Sequence, residues 1–394
     1  MTSRLPADWI LECSACGLTR APDGLPTTCE RCGQPWLVRY PTRTWSSSDR
    51  KLSGETPGMW RFRSFLPLLP DEQPVSLGEG NTPLLQVPRV SSRLGFSQLW
   101  LKDEGVNPTG SFKARGLSAA ITRAVAAGAD RFVLPTAGNA GIAASAYAAR
   151  AGVSVRVYAP SSTPRAILSQ ILAFGGELIP LEGHIGDCGK ASRAYAKECG
   201  AFDLSTLREP YRIEGKKTLG LEVAMQLGWR LPDAIVYPTG GGTGLIGMWK
   251  AFEELRGAGW TTDPPPRMYS VQSTGCAPVV RAFETGRAEC EPWVEPWTVA
   301  SGLRVPAPLG GRLMLRILRE TNGGAVSVSD DRLVEEARRG SAEEGVDVSP
   351  EGGAALAALV ALRQAEEVSP GDRIVVFNTG AGWLYRDPAD LPPG

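Results

Sequence analysis

The sequence lacks an excess of charge of either sign. Its 394 residues include 42 Lys plus Arg and 42 Asp plus Glu, so the net charge is zero. Because no surplus of positive charge is available to neutralise a phosphate backbone, nucleic acid is not an expected partner. No apolar run is long enough to span a bilayer, and the opening MTSRLPADWI lacks the apolar stretch of a signal peptide. These absences predict a soluble, cytoplasmic protein without a membrane partner.

Histidine is almost absent. The single histidine is His184, in the segment LEGHIGDCG. One isolated imidazole cannot serve both a Ser–His–Asp triad and a catalytic zinc site, so hydrolases of these kinds lose their best candidate. We expect His184 to be structural or solvated, and any proton transfer to depend on another group.

The eight cysteines are unevenly distributed, and four of them lie in the first 32 residues. Disulfides rarely persist in a reducing compartment, so these four need another explanation. They form two CxxC pairs separated by twelve residues, each followed by a glycine: Cys13, Cys16, Cys29 and Cys32. The spacing predicts a structural zinc ribbon in which four thiolates close a tetrahedral site and leave no position open for catalysis. The alternative is four unligated thiols in a loop-rich arm.

The rest of the chain alternates apolar β-branched runs with helical patterns. Predicted strands include FVLP (132–135), VSVRVYAP (153–160), AIVYPTG (234–240), RMYSVQS (267–273) and RIVVFNTG (373–380). This alternation predicts parallel sheets of the α/β class. In such sheets ligands bind at the carboxyl ends of the strands, where loops lead into helix N-termini. Residues 41–75, rich in Pro, Ser and Arg, are predicted to be an irregular connection with one short helix.

One loop with chemical potential is NPTGSFKARG (107–116), which leads into the apolar helical pattern LSAAITRAVAAG. Lys113 is predicted to lie in the first turn of that helix. The helix dipole disfavours a cation there, which favours the neutral, nucleophilic amine. Taken alone, the segment is equally compatible with a solvated surface lysine.

Two further loops join a predicted strand to a predicted helix. PTAGNAG (135–141) has small residues that let the backbone approach a flat ligand, and Asn139 offers a donor and acceptors. PTGGGTG (238–244) presents consecutive amides at a helix N-terminus, an arrangement suited to a phosphate dianion. Each loop alone could also be a tight turn.

Taken together and in order, the motifs resemble those of threonine synthases. The resemblance rests on GEGNTPL, NPTGSFKARG, TAGNAG, RIEGKKTLGLEV, PTGGGTGLIGMWKAF and FNTGAG, and it covers the whole chain. Threonine synthases are fold-type II pyridoxal-phosphate enzymes, similar to threonine ammonia-lyase, serine dehydratase and cysteine synthase, and some carry an N-terminal zinc ribbon. The resemblance implies a tryptophan synthase β-like α/β fold, with two parallel-sheet domains plus the ribbon, and a homodimer.

The domains implied are a zinc ribbon at 1–40, a connector at 41–75, and a large cofactor-binding domain formed by 76–113 and 206–394. A small α/β domain at 114–205 lies between the two parts of the large one. The resemblance also implies two cofactors, pyridoxal 5'-phosphate and a structural zinc ion, and a small amino-acid substrate. We expect the small domain to close over that substrate and exclude water.

The resemblance assigns roles to individual residues. Lys113 would hold the cofactor as a Schiff base and shuttle protons, and Asn139 would hydrogen-bond its phenolic oxygen. Thr379 would face the pyridine nitrogen, where a hydroxyl makes a milder electron sink suited to elimination and replacement. The expected phosphate cradle is Gly240, Gly241, Gly242, Thr243 and Gly244. The expected substrate contacts are Ser111, Thr136 and Asn139 at the carboxylate and Arg212 at a substrate phosphate.

Some positions depart from the threonine synthase pattern. Ala114 stands where an aspartate is common, the loop GGGTG resembles the tetraglycine loop of ammonia-lyases, and Leu207 replaces an expected serine beside Arg208. The reaction favoured is conversion of O-phospho-L-homoserine and water to L-threonine and phosphate by β,γ-replacement. The alternatives are a threonine or serine ammonia-lyase and a cysteate synthase-like β-replacement on phosphoserine. A non-catalytic scaffold is disfavoured because Lys113, Asn139 and the glycine loop are all present.

Overall fold

The structure is a computed structural model that describes residues 7–50 and 58–386. The parts of the predicted ribbon, connector and large domain at 1–6, 51–57 and 387–394 lie outside the described residues. In the described residues, the strands are β1 (Ile10–Cys13), β2 (Thr19–Arg20), β3 (Trp36–Arg39), β4 (Leu84–Gln86), β5 (Gln98–Asp103), β6 (Arg131–Pro135), β7 (Ser154–Pro160), β8 (Glu177–Leu181), β9 (Phe202–Asp203), β10 (Ala234–Pro238), β11 (Arg267–Ser273), β12 (Gly324–Val328) and β13 (Arg373–Asn378).

Helices separate most of these strands. In chain order they are α1 (Pro88–Leu94), α2 (Lys113–Ala126), α3 (Asn139–Ala151), α4 (Arg165–Ala173), α5 (Ile185–Cys199), α6 (Tyr211–Gln226), α7 (Thr243–Gly257), α8 (Pro278–Glu284), α9 (Gly311–Glu320), α10 (Asp330–Glu344) and α11 (Pro350–Gln364). None of the helices in the described ranges is long and apolar enough to cross a membrane.

The N-terminal sheet is antiparallel, with the order β2-β1-β3. Gly17 and Gly33, which follow the two CxxC pairs, have φ of +68° and +71°. Because positive φ values of this size strain residues that have a Cβ, both turns depend on having glycine at these positions. Two 3-10 helices, Ser47–Arg50 and Gly58–Phe65, lie in the described part of the connector, where one short helix was predicted.

The larger of the other two sheets has six strands in the order β12-β11-β10-β13-β5-β4. All neighbouring strands are parallel except β4, which runs antiparallel to β5 at the edge. Strand β10 is buried along its whole length, as expected of a parallel sheet covered by helices on both faces. The predicted parallel α/β architecture is confirmed.

The smaller sheet has four parallel strands in the order β8-β7-β6-β9. Its helix α5 begins directly after His184, whose Nδ1 accepts a hydrogen bond from the Gly186 amide at 3.1 Å and caps the helix. The imidazole is also exposed, so the expectation of a structural or solvated histidine is confirmed.

Several elements were not predicted from the sequence, among them β4, β5, β12 and the helices α9, α10 and α11. Strand β5 reads QLWLKD, and its Lys102 is fully buried. That ammonium lies 3.6 Å from a Glu222 carboxylate on α6. A buried charge is tolerated only when it is paired, and the pairing partner is invisible to a local pattern.

Candidate functional site

A single cavity brings together loops from both parallel sheets. It lies where β6, β10 and β13 end and where α2, α3 and α7 begin, at the carboxyl ends of parallel strands. The sequence-predicted residues on its wall are Lys113, Thr136, Asn139, Arg212, Gly240, Gly241, Gly242, Thr243, Gly244 and Thr379. Positions separated by more than 250 residues therefore meet around one space.

Lys113 is the first residue of α2, as the sequence predicted. Its Nζ lies 3.9 Å from the centre of the Phe112 ring and makes no hydrogen bond within the described ranges. Burial above all, and then the nearby Arg212 guanidinium, lower the pKa of the Lys113 amine to about 7, and the Glu351 carboxylate opposes them. A large fraction of the amine is therefore neutral near pH 7 and able to act as a nucleophile.

Two residues further on, Arg115 anchors the start of this helix. Its guanidinium donates to both Glu104 oxygens at 2.7 Å and lies 2.5 Å from a Glu222 oxygen. All three side chains are fully buried. Burial opposes ionisation of Glu104, but Arg115 outweighs it and holds the pKa of that carboxyl at about 2. This ion-paired cluster holds the first turn of α2, and with it Lys113, in place.

The glycine-rich loop follows β10 and opens α7. Gly242 has a φ of +81°, and a Cβ at Gly240 or Gly244 would stand 2.2 Å from the Gly302 carbonyl oxygen or 2.0 Å from the Tyr237 hydroxyl oxygen. Side chains are therefore excluded, and the amides at this helix end can approach a ligand directly. Such an N-terminus binds phosphate through its amides and its dipole.

Two polar side chains complete the candidate cofactor site. Asn139 begins α3, and its buried Oδ1 has no hydrogen-bond partner in the described part of the chain. An unpaired buried amide oxygen costs about 1–3 kcal/mol, which a ligand donor would recover. Thr379 is buried after β13, and its carbonyl accepts from the Phe112 amide at 3.0 Å, which ties it to the lysine loop. An amine, a phosphate cradle and these groups in one cavity fit pyridoxal phosphate.

Arginines give the cavity its charge. Arg212, in the first turn of α6, is buried, donates to the Leu204 carbonyl at 2.7 Å and leaves Nε without a partner in the described residues. Arg304 was not predicted to be a site residue, but it also lines the cavity and packs 5.7 Å from the Trp297 ring centre. Burial lowers the pKa of both guanidiniums. Neither forms an ion pair within 4 Å in the described chain, although the Glu209 and Asp203 carboxylates favour the charged form of Arg212 from farther away.

The other expected substrate residues have differing positions. The Thr136 hydroxyl faces its own loop, accepting from the Gly138 amide at 3.0 Å and donating to the Gly138 carbonyl at 2.9 Å. Ser111 is fully buried behind the cavity wall, and its Oγ accepts from the Lys113 amide at 3.4 Å. Thr136 thus shapes the loop before Asn139, and Ser111 supports the start of α2.

The positions that depart from the family pattern are also explained in part. Leu207 is buried with a φ of +64°, and neither it nor Arg208 belongs to the cavity wall. Thr206 lines the cavity instead. Ala114 is fully buried in the first turn of α2, where its methyl group packs in the core.

Sequence reasoning missed an acidic group in the cavity. Glu351 is the second residue of α11, and Tyr385 from the C-terminal 3-10 helix donates to its Oε1 at 2.8 Å. The only sequence signal was an acid in SPEGG, which an ordinary helix start explains equally well.

The N-terminal cysteines form a separate cluster. The sulfurs of Cys13, Cys16, Cys29 and Cys32 all lie within 4.8 Å of one another. The Cys13–Cys32 and Cys16–Cys29 sulfur pairs are 3.3 and 3.7 Å apart. Zn–S bonds of about 2.3 Å in a tetrahedron require sulfurs about 3.8 Å apart, so the cluster fits a four-thiolate zinc site.

Comparison with known proteins identifies the family. The family model described as pyridoxal-phosphate dependent enzyme matches residues 75–380. Among solved structures, maize serine racemase has a TM-score of 0.67 at 22% identity, covering 76% of this chain and 88% of that one. The T.th. threonine deaminase has a TM-score of 0.63 at 27% identity, covering 79% of this chain and 94% of that one. These likenesses support the fold-type II architecture.

Curated relatives are more specific. The threonine synthase of Methanosarcina acetivorans is 32% identical over 379 residues, which are 96% of this chain and 92% of the relative. The threonine synthase of Methanocaldococcus jannaschii is 32% identical over 379 residues, with 95% and 92% covered. That of Mycobacterium leprae is 33% identical over 334 residues, with 84% and 90% covered. The chain therefore belongs to the fold-type II pyridoxal-phosphate-dependent enzymes and, among them, to the threonine synthase family.

Proposed function

We propose that this protein converts O-phospho-L-homoserine and water to L-threonine and phosphate. The observation that carries the proposal is the pair of guanidiniums, Arg212 and Arg304, that line the cavity and form no ion pair within 4 Å in the described residues. The glycine loop offers one phosphate site, so these cations remain for a second anion. A substrate with its own phosphate supplies that anion, and burial strengthens the interaction because water screens it less.

Pyridoxal phosphate would be held by Lys113 through its amine, by the amides from Gly240 to Gly244 through its phosphate, and by Asn139 and Thr379. When bound, it supplies an electron sink that stabilises negative charge at the substrate Cα. Lys113 would then be the group on this chain that takes the proton from Cα, and it must hand that proton on within the closed site before it can take one from Cβ. The bonding electrons leave Cγ with the phosphate, and water supplies the hydroxyl at Cβ. Arg212 and Arg304 hold the phosphate as it leaves Cγ, which directs the reaction away from simple loss of a β-group.

We also propose that the two parallel sheets belong to two domains, 76–113 with 206–394 and 114–205, as expected from the resemblance. The cavity is lined by Lys113 and the glycine loop on one side and by Thr136 and Asn139 on the other. Closure of one side onto the other would exclude water while Cα carries negative charge. Closure before the proton leaves Cα would protect the negative charge at Cα from protonation by solvent.

A second candidate is a threonine or serine ammonia-lyase, which would release a 2-oxo acid and ammonia. The run of three glycines at 240–242 favours it, as does the likeness to the T.th. threonine deaminase. It does not explain why buried Arg212 and half-buried Arg304 both line the cavity without an ion pair in the described chain, because threonine and serine carry no second anion. Phosphoserine, the substrate of the cysteate synthase-like alternative, does carry one.

The test is an assay of the purified, cofactor-loaded protein with O-phospho-L-homoserine. We expect phosphate and threonine to appear in equal amounts, and Lys113→Ala to lose roughly 10³-fold or more of the rate. Lys190→Ala is the matched control, since that lysine is exposed and outside the cavity. Release of a 2-oxo acid from threonine or serine, or consumption of phosphoserine only with sulfite, would establish an alternative instead.

The proposal extends to zinc, oligomeric state and location. The four cysteines would hold one zinc ion per chain, and metal analysis should find it lost in Cys16→Ser. The ribbon would act structurally, because Tyr40 at its end donates to Glu214 of α6 at 2.6 Å. The family resemblance favours a cytoplasmic homodimer, and light scattering of the 42.0 kDa chain should give about twice that mass.

A further inference from the structure

Glu351 has one carboxylate oxygen that the fold uses and one that it does not. Its side chain is 4% exposed and lines the cavity that holds Lys113. Oε1 is fully used, since it accepts from the Gly302 amide and the Tyr385 hydroxyl, each at 2.8 Å. Oε2 is buried and has no partner in the described chain. Buried carboxylate oxygens are normally paired, so this oxygen is available to a group in the cavity.

The Lys113 amine lines the same cavity and is the group that would need a negative charge nearby when it takes up a proton. Its Nζ also lacks a hydrogen bond within the described ranges, and the Arg212 guanidinium disfavours a proton on it. The neighbouring Lys216 amine has its own pKa lowered well below the usual range by burial, and Lys113 adds to that shift. Lys216 donates to the Phe112 carbonyl from beneath. Among these neighbours Glu351 is the one acid that favours a proton on Lys113.

We propose that Glu351 is a positioning residue that acts through Lys113, its carboxylate serving as the counter-charge that lets the lysine keep a proton taken from the substrate. The inference rests on the proposed function only in treating Lys113 as the base. When Lys113 takes a proton, a C–H bond breaks, an N–H bond forms and a new ammonium appears near the Arg212 guanidinium. The Glu351 carboxylate attracts that ammonium across the cavity and offsets the repulsion from Arg212.

The opposing influences on both groups are consistent with this role. Burial raises the pKa of Glu351, while Tyr385, the local amides and Lys113 favour its ionised form. Burial and the Arg212 guanidinium favour neutral Lys113, whereas Glu351 favours the ammonium. A base that must accept a proton and later return it works best when both of its forms are accessible near the working pH.

The test measures the protonation of Lys113 without turnover. The full chain, freed of cofactor, is labelled with acetic anhydride across a pH series, and mass spectrometry compares Lys113 with exposed Lys190. Wild type should give a midpoint near the pKa of about 7. Glu351→Gln, which keeps the shape and removes the charge, should lower the midpoint by about one pH unit or more.

Two further variants keep the test decisive. Glu335→Gln removes an exposed acid on α10 and should leave the midpoint unchanged. Tyr385→Phe removes one donor that stabilises the Glu351 carboxylate and should lower the midpoint by a smaller amount. An unchanged midpoint in Glu351→Gln, or in Tyr385→Phe if the former does not fold, would overturn the inference.

A kinetic measurement on the loaded enzyme separates this inference from the proposed function. Glu351→Gln should lower kcat by roughly 10²-fold with KM nearly unchanged. A wild-type protein that releases no phosphate from O-phospho-L-homoserine contradicts the proposed substrate, and it leaves the labelling result intact. A normal kcat in Glu351→Gln would contradict the role of Glu351 and leave the substrate assignment standing.

Discussion

Two groups of charged residues near the candidate site differ in how they are compensated. Arg115 and Lys102, which are fully buried, are paired with Glu104 and Glu222. Buried Arg212 and half-buried Arg304, which line the cavity, form no ion pair within 4 Å in the described chain. The first group resembles the ion clusters that fix a fold, whereas the second has charge left over for a ligand.

The difference separates structural charges from functional ones. Removing one member of a paired buried cluster leaves an uncompensated charge and destabilises the fold. Removing a cation that forms no ion pair takes no close partner from a carboxylate, so the cost falls mainly on ligand binding. Substitutions in the ion-paired group should therefore change the free energy of unfolding. Substitutions of the cavity arginines should change the kinetics with an anionic substrate.

The largest effect is expected from Arg115→Met. It leaves the Glu104 and Glu222 carboxylates buried without their main partner, and should lower the free energy of unfolding by about 3–5 kcal/mol. Urea titration followed by circular dichroism measures this. Arg332→Gln, which breaks an exposed ion pair with Glu335, is the control and should change stability by less than about 1 kcal/mol. Equal free energies of unfolding for the two variants would contradict the stabilising role of the buried Arg115 cluster.

A smaller effect is expected from Arg304→Gln. It should lower kcat/KM for O-phospho-L-homoserine by about 10- to 100-fold, the cost of one charge-assisted hydrogen bond. The unfolding free energy should stay the same, because no carboxylate loses its partner. Steady-state kinetics and urea titration on the same preparation check both parts. A loss of stability with unchanged kinetics would assign Arg304 to the structural group.

The smallest effect is a pH dependence. With the pKa of Lys113 lowered to about 7, chiefly by burial, the neutral fraction of its amine should rise about tenfold between pH 6 and pH 8. The rate at which the cofactor-free chain attaches pyridoxal phosphate should rise with it and level off above pH 8. An exposed lysine would still be gaining neutral amine at pH 10. Stopped-flow absorbance distinguishes the two profiles.

What the sequence revealed follows from where the chemistry lies. The cysteine pairs are local, so their spacing predicted the cluster, and the helix start at Lys113 followed from a short motif. The glycine loop alone was also compatible with a tight turn, and its role as a phosphate cradle came from the family resemblance. Arg304 and Glu351 carry no such local signal, since each meets Lys113 only through the tertiary fold. The pairing of Arg115 with Glu222 likewise joins residues more than 100 positions apart. No periodicity records a contact of that kind.

The proposal that Arg212 binds a substrate phosphate is tested by comparing kcat/KM for O-phospho-L-homoserine, L-threonine and L-serine, in wild type and in Arg212→Gln. We expect turnover of the phosphorylated substrate by wild type, with threonine and phosphate as products, and loss of that preference in the variant. If wild type instead converts threonine or serine to a 2-oxo acid with equal or higher kcat/KM, the unpaired arginines do not serve a substrate phosphate.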